Sequence, residues 1–191
     1  MKILCKLLKN SSLVLEFGSG SSTVFFSQFV KEWWSIEHDK RWGELVRYEM
    51  DQVDHKDRIA LEVVEPDSPY QRKIGTNRKK TVDRNGRFKD GKYNDGTYQE
   101  FKSYIARPAT YRRQFDVIIN DGRARVVVAN SVLRENLLVE GGVMMMHDWE
   151  RVEYKAVLGM GRFKVWKEDI SVRRQTAFLV PYNTASSLVR D

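Results

Sequence analysis

The sequence predicts an α/β fold: a doubly wound, seven-stranded sheet, mostly parallel, with an antiparallel last strand. Three observations predict it. Short apolar runs alternate with helical patterns along the chain. The first run enters a glycine turn that opens a helix, and two closing strands follow one another without a long helix between them. Continuous apolar strands separated by amphipathic helices need cover on both faces, which is the parallel arrangement.

Each element has its own signal. Ser12–Phe17 (SLVLEF) is the first strand, followed by the glycine turn and a helical pattern over Ser22–Val30. Trp33–Glu37 is the second, with a helix over roughly Lys40–Val53 behind it. Ile59–Glu65 is the third. A stretch rich in Gly, Asn, Asp and Lys follows, an insertion at about 68–97 within a single domain spanning 1–191. A short helix over Thr97–Ala106 stops before Pro108, because the residue preceding a proline avoids the helical region. Phe115–Asn120 is the fourth strand and Arg125–Asn136 its helix. The turn Glu140-Gly141-Gly142 introduces a fifth strand, Gly142–His147. Tyr154–Leu158 reads as a short helix, and Phe163–Lys167 and Thr176–Val180 close the sheet.

Charge is unevenly spread. The 191 residues carry 33 Lys+Arg and 26 Asp+Glu, a net charge of +7. Residues 71–114 hold thirteen of the basic and four of the acidic side chains, a surplus of +9. The remainder has 20 basic and 22 acidic residues, a net of −2. The basic stretch is either a binding loop or a solvated insertion without a role. Cys5 is the single cysteine, so neither an internal disulfide nor a site of several thiolates is open to the chain. No window reaches the roughly 18–20 apolar residues of a membrane span. The start, MKILCKLLKN, has no secretory pattern, and a cytoplasmic protein is expected.

In open sheets of this kind the ligand lies beyond the carboxyl ends of the strands. Those ends carry Glu16-Phe17-Gly18-Ser19-Gly20, Glu37-His38-Asp39, Glu65-Pro66-Asp67, Asp121-Gly122-Arg123 and His147-Asp148-Trp149. Alternate glycines permit a tight turn with close backbone approach, and Ser22 and Thr23 are placed to cap the next helix. The turn departs from G-x-G-x-x-G: Thr23 stands where the third glycine belongs, and Glu16 sits two residues before the first. A carboxylate there would repel a diphosphate and attract a cationic amino-acid or sulfonium ligand. Glu37 ends the second strand, where an acid accepts both hydroxyls of a ribose, in nicotinamide and adenosyl cofactors alike.

The segments LVLEFGSGSSTVFFSQ, WWSIEHD, FDVIINDGRARV and LLVEGGVMMMHDW resemble the class I S-adenosylmethionine-dependent methyltransferases. The resemblance covers roughly Leu13–Val180, with the basic stretch matching poorly. E-F-G-S-G-x-S-T, E-H-D, D-G-R-x-R and G-G-V-x-x-x-H-D-W together are similar to small O-methyltransferases acting on sugars or glycans. More loosely, they are similar to the methyltransferase domain of a multidomain chlorovirus glycan-building enzyme. The resemblance implies a Rossmann-like fold and S-adenosylmethionine as cofactor. It implies that Glu16, Gly18, Ser19 and Gly20 surround the methionine part, with Ser22, Thr23 and Asp121 beside them. Glu37 and His38 then hold the ribose, and Asp67 approaches the adenine. It also implies a sugar or glycan acceptor and, for a viral protein, action in the host cytoplasm as part of a larger polypeptide. The longer N-terminal helical region of many relatives is missing, so closure over substrate is expected from elsewhere.

For a hydroxyl acceptor the protein must orient the oxygen, take its proton and exclude water. Asp121 and the pair His147-Asp148 end adjacent strands and can converge. In metal-dependent relatives, acids at these two ends hold a divalent cation, and Asp121 with Asp148 would bind Mg2+ or Mn2+ here, without an evident third ligand. The alternative is a metal-free pair, His147 as general base beside Asp148. Both stay open, as do blander readings: Asp121-Gly122 as a turn only, and His147 as a satisfied strand-end histidine. Arg123 and Arg125 either grip an anionic substrate or pair with acids. Trp149 either stacks on a sugar ring or packs in the core. A nucleotide-dependent oxidoreductase is disfavoured by Glu16 and the absent third glycine. A nucleic-acid methyltransferase is disfavoured because Asn120-Asp121-Gly122 is not the Asn-Pro-Pro-aromatic clamp of enzymes that methylate base amino groups.

Overall fold

The computed structural model describes residues 2–9, 12–68, 95–159, 161–170 and 175–182. Its seven strands are β1 (Leu13–Phe17), β2 (Glu32–Glu37), β3 (Ile59–Val63), β4 (Phe115–Asn120), β5 (Leu138–His147), β6 (Phe163–Ile170) and β7 (Gln175–Pro181). They form one sheet in the order β3-β2-β1-β4-β5-β7-β6. The first five are mutually parallel, and β7 runs antiparallel between β5 and β6. The predicted fold class is the observed one. The helices are α1 (Lys2–Leu7), α2 (Ser21–Phe26), α3 (Lys40–Met50), α4 (Lys102–Ala106), α5 (Arg125–Arg134) and α6 (Ala156–Gly159).

Because successive strand residues face opposite sides, each central strand feeds two cores. Val14, Trp33, Val117, Ile119, Val143 and Met145 meet Leu4 of α1 and Phe26 of α2 on one face. Leu15, Phe17, Ile118, Met144 and Met146 meet Phe101, Tyr104, Val128 and Tyr154 on the other. The α1 helix was not read from the sequence; Leu4 and Leu8 tie it to the first layer.

Four boundaries differ for physical reasons. The predicted turn Glu140-Gly141-Gly142 lies inside β5. Its partners step from Leu138 opposite Phe115 to Val143 opposite Val117, so the extra residues bulge while the strand continues. The predicted helix over Thr97–Ala106 is helical only from Lys102. Before it, the Thr97 amide donates to Glu100 Oε2 (2.7 Å) and the Glu100 amide to Thr97 Oγ1 (3.3 Å), a reciprocal pair that sets up the turn. Pro108 does not end the helical path; a 3-10 turn spans Arg107–Tyr111 with the proline in its first turn, where no donor is needed. The closing strands run further than predicted and pair edge to edge over Phe163–Ile170 and Gln175–Pro181. Of the insertion placed at 68–97, residues 69–94 lie outside the described residues.

The loops after β1 and β4 touch at the switch point. The Asp121 amide donates to Phe17 O (3.0 Å), and the Gly18 amide donates to Ile36 O (2.9 Å). A Cβ on Gly18, which has φ +90°, would lie 2.7 Å from Gly122 Cα. One on Gly122 would collide with the Tyr104 hydroxyl. Gly122→Ala is therefore expected to lose about 1–3 kcal/mol of stability in urea denaturation, as overpacked sites do. Gly159→Ala, with no neighbour within 4 Å, should stay within about 0.5 kcal/mol of the parent. Equal behaviour of the two variants would show that the loop crossing tolerates a side chain.

Candidate active site

The carboxyl ends of β1 to β5 open on a cleft of about 1250 Å³. One end of it is lined by Gly18, Ser19, Gly20, Glu37, His38, Trp42 and Glu65–Ser68, the other by Ser22, Asp121, Arg123, Arg125, His147, Asp148 and Arg151.

At the first end the two predicted acids have different jobs. Strand alternation turns Glu16 under the α2 layer, where it is fully buried and outside the cleft lining. Its carboxylate accepts from Ser22 Oγ (2.5 Å), Thr23 Oγ1 (2.5 Å), Ser35 Oγ (2.5 Å) and Trp33 Nε1 (2.9 Å). Burial pushes its pKa up against those hydrogen bonds. The expectation that Glu16 walls the ligand is thus corrected: it braces the wall from below. Thr23, also buried, accepts from the Gly20 amide (2.9 Å), so it too shapes the turn without lining the cleft.

Glu37 does line the cleft, though only 2% exposed. One oxygen accepts from the Ser19 amide (2.8 Å) and Ser19 Oγ (3.0 Å). The other accepts from the His38 amide (2.8 Å) and the Asp39 amide (2.9 Å), and lies 2.8 Å from His38 Nδ1. Burial alone would raise its pKa, but His38 and these amides outweigh it and hold the carboxyl below its ordinary value. Trp42 Nε1 donates to Ser19 O (2.7 Å), a contact not foreseen. Asp67 lies at the cleft mouth, but its carboxylate accepts from the Ser103 amide (2.8 Å) and the Ser103 hydroxyl at the start of α4. The carboxylate expected near the adenine thus lines the cleft and also anchors the start of a helix.

At the second end Asp121, His147 and Asp148 do converge. His147 Nδ1 lies 3.1 Å from Asp121 Oδ1 and 3.4 Å from Asp148 Oδ1. Asp148 has φ +55°, an uncommon conformation for a side-chain-bearing residue, and it buries its carboxylate against Arg125 and Arg151. Arg125 pairs with Asp121 as well (2.9 Å), so the arginine considered for substrate or pairing is a paired, buried one. Arg123 lines the cleft. Trp149 is fully buried and donates to Glu168 Oε1 (2.8 Å), with the Lys155 ammonium 3.8 Å from its ring centroid. It has no face to offer a sugar, and that expectation is corrected.

The acid pair does not suit a divalent cation, because guanidinium groups already fill the space between the carboxylates. Among the described residues no group of three or more His, Cys, Asp or Glu side chains is placed to hold a metal. Asp95, unforeseen in the sequence, backs this end: its carboxylate accepts from the Arg125 amide (2.8 Å) and the Tyr154 hydroxyl (2.9 Å). Burial raises its pKa. The clue available was only its position near the end of the insertion at about 68–97.

Comparison with solved structures identifies the architecture. A conserved hypothetical protein of Streptococcus pyogenes superposes with TM-score 0.62 at 13% identity, covering 96% of this chain and 95% of that one. An O-methyltransferase from Bacillus cereus in complex with SAH gives TM-score 0.62 at 11% identity, covering 93% of this chain and 77% of that one. An rRNA methylase from Streptococcus thermophilus gives TM-score 0.59 at 11% identity, covering 94% and 92%. No family model and no curated protein sequence matches the chain. The fold is the Rossmann-like methyltransferase fold. At these identities the likeness establishes the fold alone. No helix among the described residues is long and apolar enough to cross a membrane.

Glu37 also makes a pH-dependent contribution to stability. Its pKa is depressed on folding, so its contribution is complete above the ordinary value near 4.5 and fades as pH falls through the lower, folded-state value. Denaturation of the parent and of Glu37→Gln from pH 7 to pH 3 should show their stability difference shrinking below about pH 4.5. A difference that stays constant with pH would contradict the assignment.

Proposed function

We propose that the chain is an S-adenosylmethionine-dependent O-methyltransferase that methylates a hydroxyl of a sugar in a glycan. The observation that carries this reading is a single cleft that joins the Ser19–Glu37 corner to the His147–Asp121–Asp148 cluster. The donor set at the first end suits an adenosyl ligand. Glu37 is an acceptor for ribose hydroxyls, and Gly20 leaves room for a ligand, a Cβ there having nothing nearer than 4.0 Å. Ser22, held by Glu16, and the partly exposed Asp121 stand towards the methionine part. When bound, the cofactor supplies an electrophilic methyl group. His147 then accepts the proton leaving the acceptor oxygen as that oxygen takes the methyl. With Nδ1 turned to the two acids, Nε2 is the nitrogen that receives it. Asp121 and Asp148 stabilise the imidazolium and fix the ring.

What supports an O-linked acceptor is the histidine–acid cluster and the resemblance of the strand-end motifs to glycan O-methyltransferases. The rRNA methylase among the structural neighbours and the +9 stretch keep RNA as the second reading. Against it, Arg107 pairs with Glu62 and Arg113 with Glu32, so these two cations of the stretch serve the fold.

Thermal stabilisation by S-adenosylhomocysteine, with none from NAD, is the first expected result. His147→Gln should lower kcat by roughly 100- to 10,000-fold while the Kd for S-adenosylhomocysteine stays unchanged. Glu37→Ala should weaken that Kd. A panel of sugar, glycan and RNA acceptors with labelled methyl donor decides the substrate; RNA binding that falls steeply with salt, with label in RNA alone, would replace the sugar reading.

A further inference from the structure

We propose that Arg125 is the positioning residue of this site, a cation tethered to the chain that occupies the place between Asp121 and Asp148 where related chemistry would use a divalent metal. The inference rests on the methyl-transfer reading for what the site does, but its geometry stands independently. A guanidinium has five N–H donors in a fixed planar fork. Here five acceptors meet them. Nε donates to Gly122 O (3.2 Å). Nη1 donates to His147 O (2.9 Å) and Asp148 Oδ2 (3.3 Å). Nη2 donates to Asp121 O (3.0 Å) and lies 2.9 Å from Asp121 Oδ1. The side chain is 5% exposed, and its cationic plane sits 5.2 Å from the Tyr154 ring centroid. Every donor is used, so this arginine has nothing left to offer a substrate.

What it does instead is join two strands and two acids. Three of its five acceptors are backbone carbonyls at the carboxyl ends of β4 and β5, which fixes the separation of those ends. The remaining two are the carboxylates that flank His147. Asp121 Oδ1 is shared: the oxygen that Arg125 holds is also the one 3.1 Å from His147 Nδ1. Arg125 therefore fixes the carboxylate beside which the imidazole stands. Its charge, with that of Arg151, offsets the buried Asp148 carboxylate and lets the partly exposed Asp121 carboxylate stand near it. Octahedral magnesium or manganese cannot enter without displacing this fork. The helix start survives substitution, because the bond from residue 125 to Asp95 comes from the backbone amide.

The test uses the intact chain. Wild-type protein treated with EDTA is expected to keep its turnover, and Mn2+ titrated into it and followed by electron paramagnetic resonance should remain free at micromolar concentrations. Arg125→Ala should lower kcat by about 100-fold, the scale of an ångström-sized misplacement, with the Kd for S-adenosylhomocysteine and the acceptor KM within about twofold. Guanidinium chloride at millimolar concentration should restore at least about tenfold, and ammonium chloride should not, because only the planar fork matches the five acceptors. Arg125→Lys, the milder variant should the alanine fail to fold, should remain at least about tenfold impaired. Turnover that is lost with EDTA and returned by Mn2+, tight Mn2+ binding by the wild type, or an unimpaired Arg125→Lys would each overturn the proposal. Should the wild type neither bind S-adenosylhomocysteine nor transfer methyl to any acceptor, the methyl-transfer reading fails. The Mn2+ titration still decides the tethered-cation claim in that case.

Discussion

Everything at the cleft depends on how closely the loops after β1 and β4 approach. Parallel neighbours in a doubly wound sheet diverge at the switch point, and the gap left there is the ligand site. In this chain the gap is narrow at its base because Gly18 and Gly122 meet backbone to backbone, with the Tyr104 hydroxyl closing the third side. The first glycine of the turn is thus required by packing and by φ +90°, while Gly20 has open space around it. Tyr104 is buried and burial drives its pKa well up, so it remains a neutral hydroxyl, fit to sit between two loops.

Above that base, buried carboxylates do the organising, and the donors around each decide its role. Glu16 gathers three hydroxyls and an indole, which stitch β1, β2 and the start of α2 into one unit. Glu37 gathers backbone amides from two loops and so couples the β1 turn to the β2 end. Asp148 has guanidinium partners instead, and Asp95 a helix amide and a phenol. Burying a charge is costly unless its hydrogen-bonding capacity is met. Each acid here meets it by reaching to a different element, so the same groups that relieve the cost also fix the cleft walls.

This explains what could and could not be read from the sequence. The strands were legible because apolar runs such as FDVIIN and IALEV carry a period and composition that belong to buried sheet. The strand-end acids were legible because fold class dictates where ends lie. Which acid faces the cleft was a matter of side-chain direction. Glu37 ends its strand and Glu16 stands one residue before the end of its own, and Ser22, Thr23, Trp33 and Ser35 surround Glu16 and leave only Glu37 in the lining. Trp149 looked available because its partner, Glu168, lies 19 residues away. Arg125 was visible as a motif residue, but five acceptors drawn from two strand ends are a property of the assembled sheet.

The charge distribution gains a different meaning from the same contacts. The surplus over residues 71–114 is read along the sequence as one block, but two of the four cations in its described end, Arg107 and Arg113, are spent internally. Arg107 ties to Glu62, which also accepts from Tyr111, and Arg113 to Glu32 beside Trp34. Exposed pairs of this kind add little stability, yet they remove those cations from any surface patch. Asp67 and Asp95 are both anchored at the cleft end of the sheet. Asp67 is tied to Ser103 and Asp95 to the backbone amide of Arg125. Asp95 is thereby fixed to the first residue of the helix whose guanidinium lies against Asp121 beside His147. A change in how Asp95 seats would reach His147 through one helix start and one arginine.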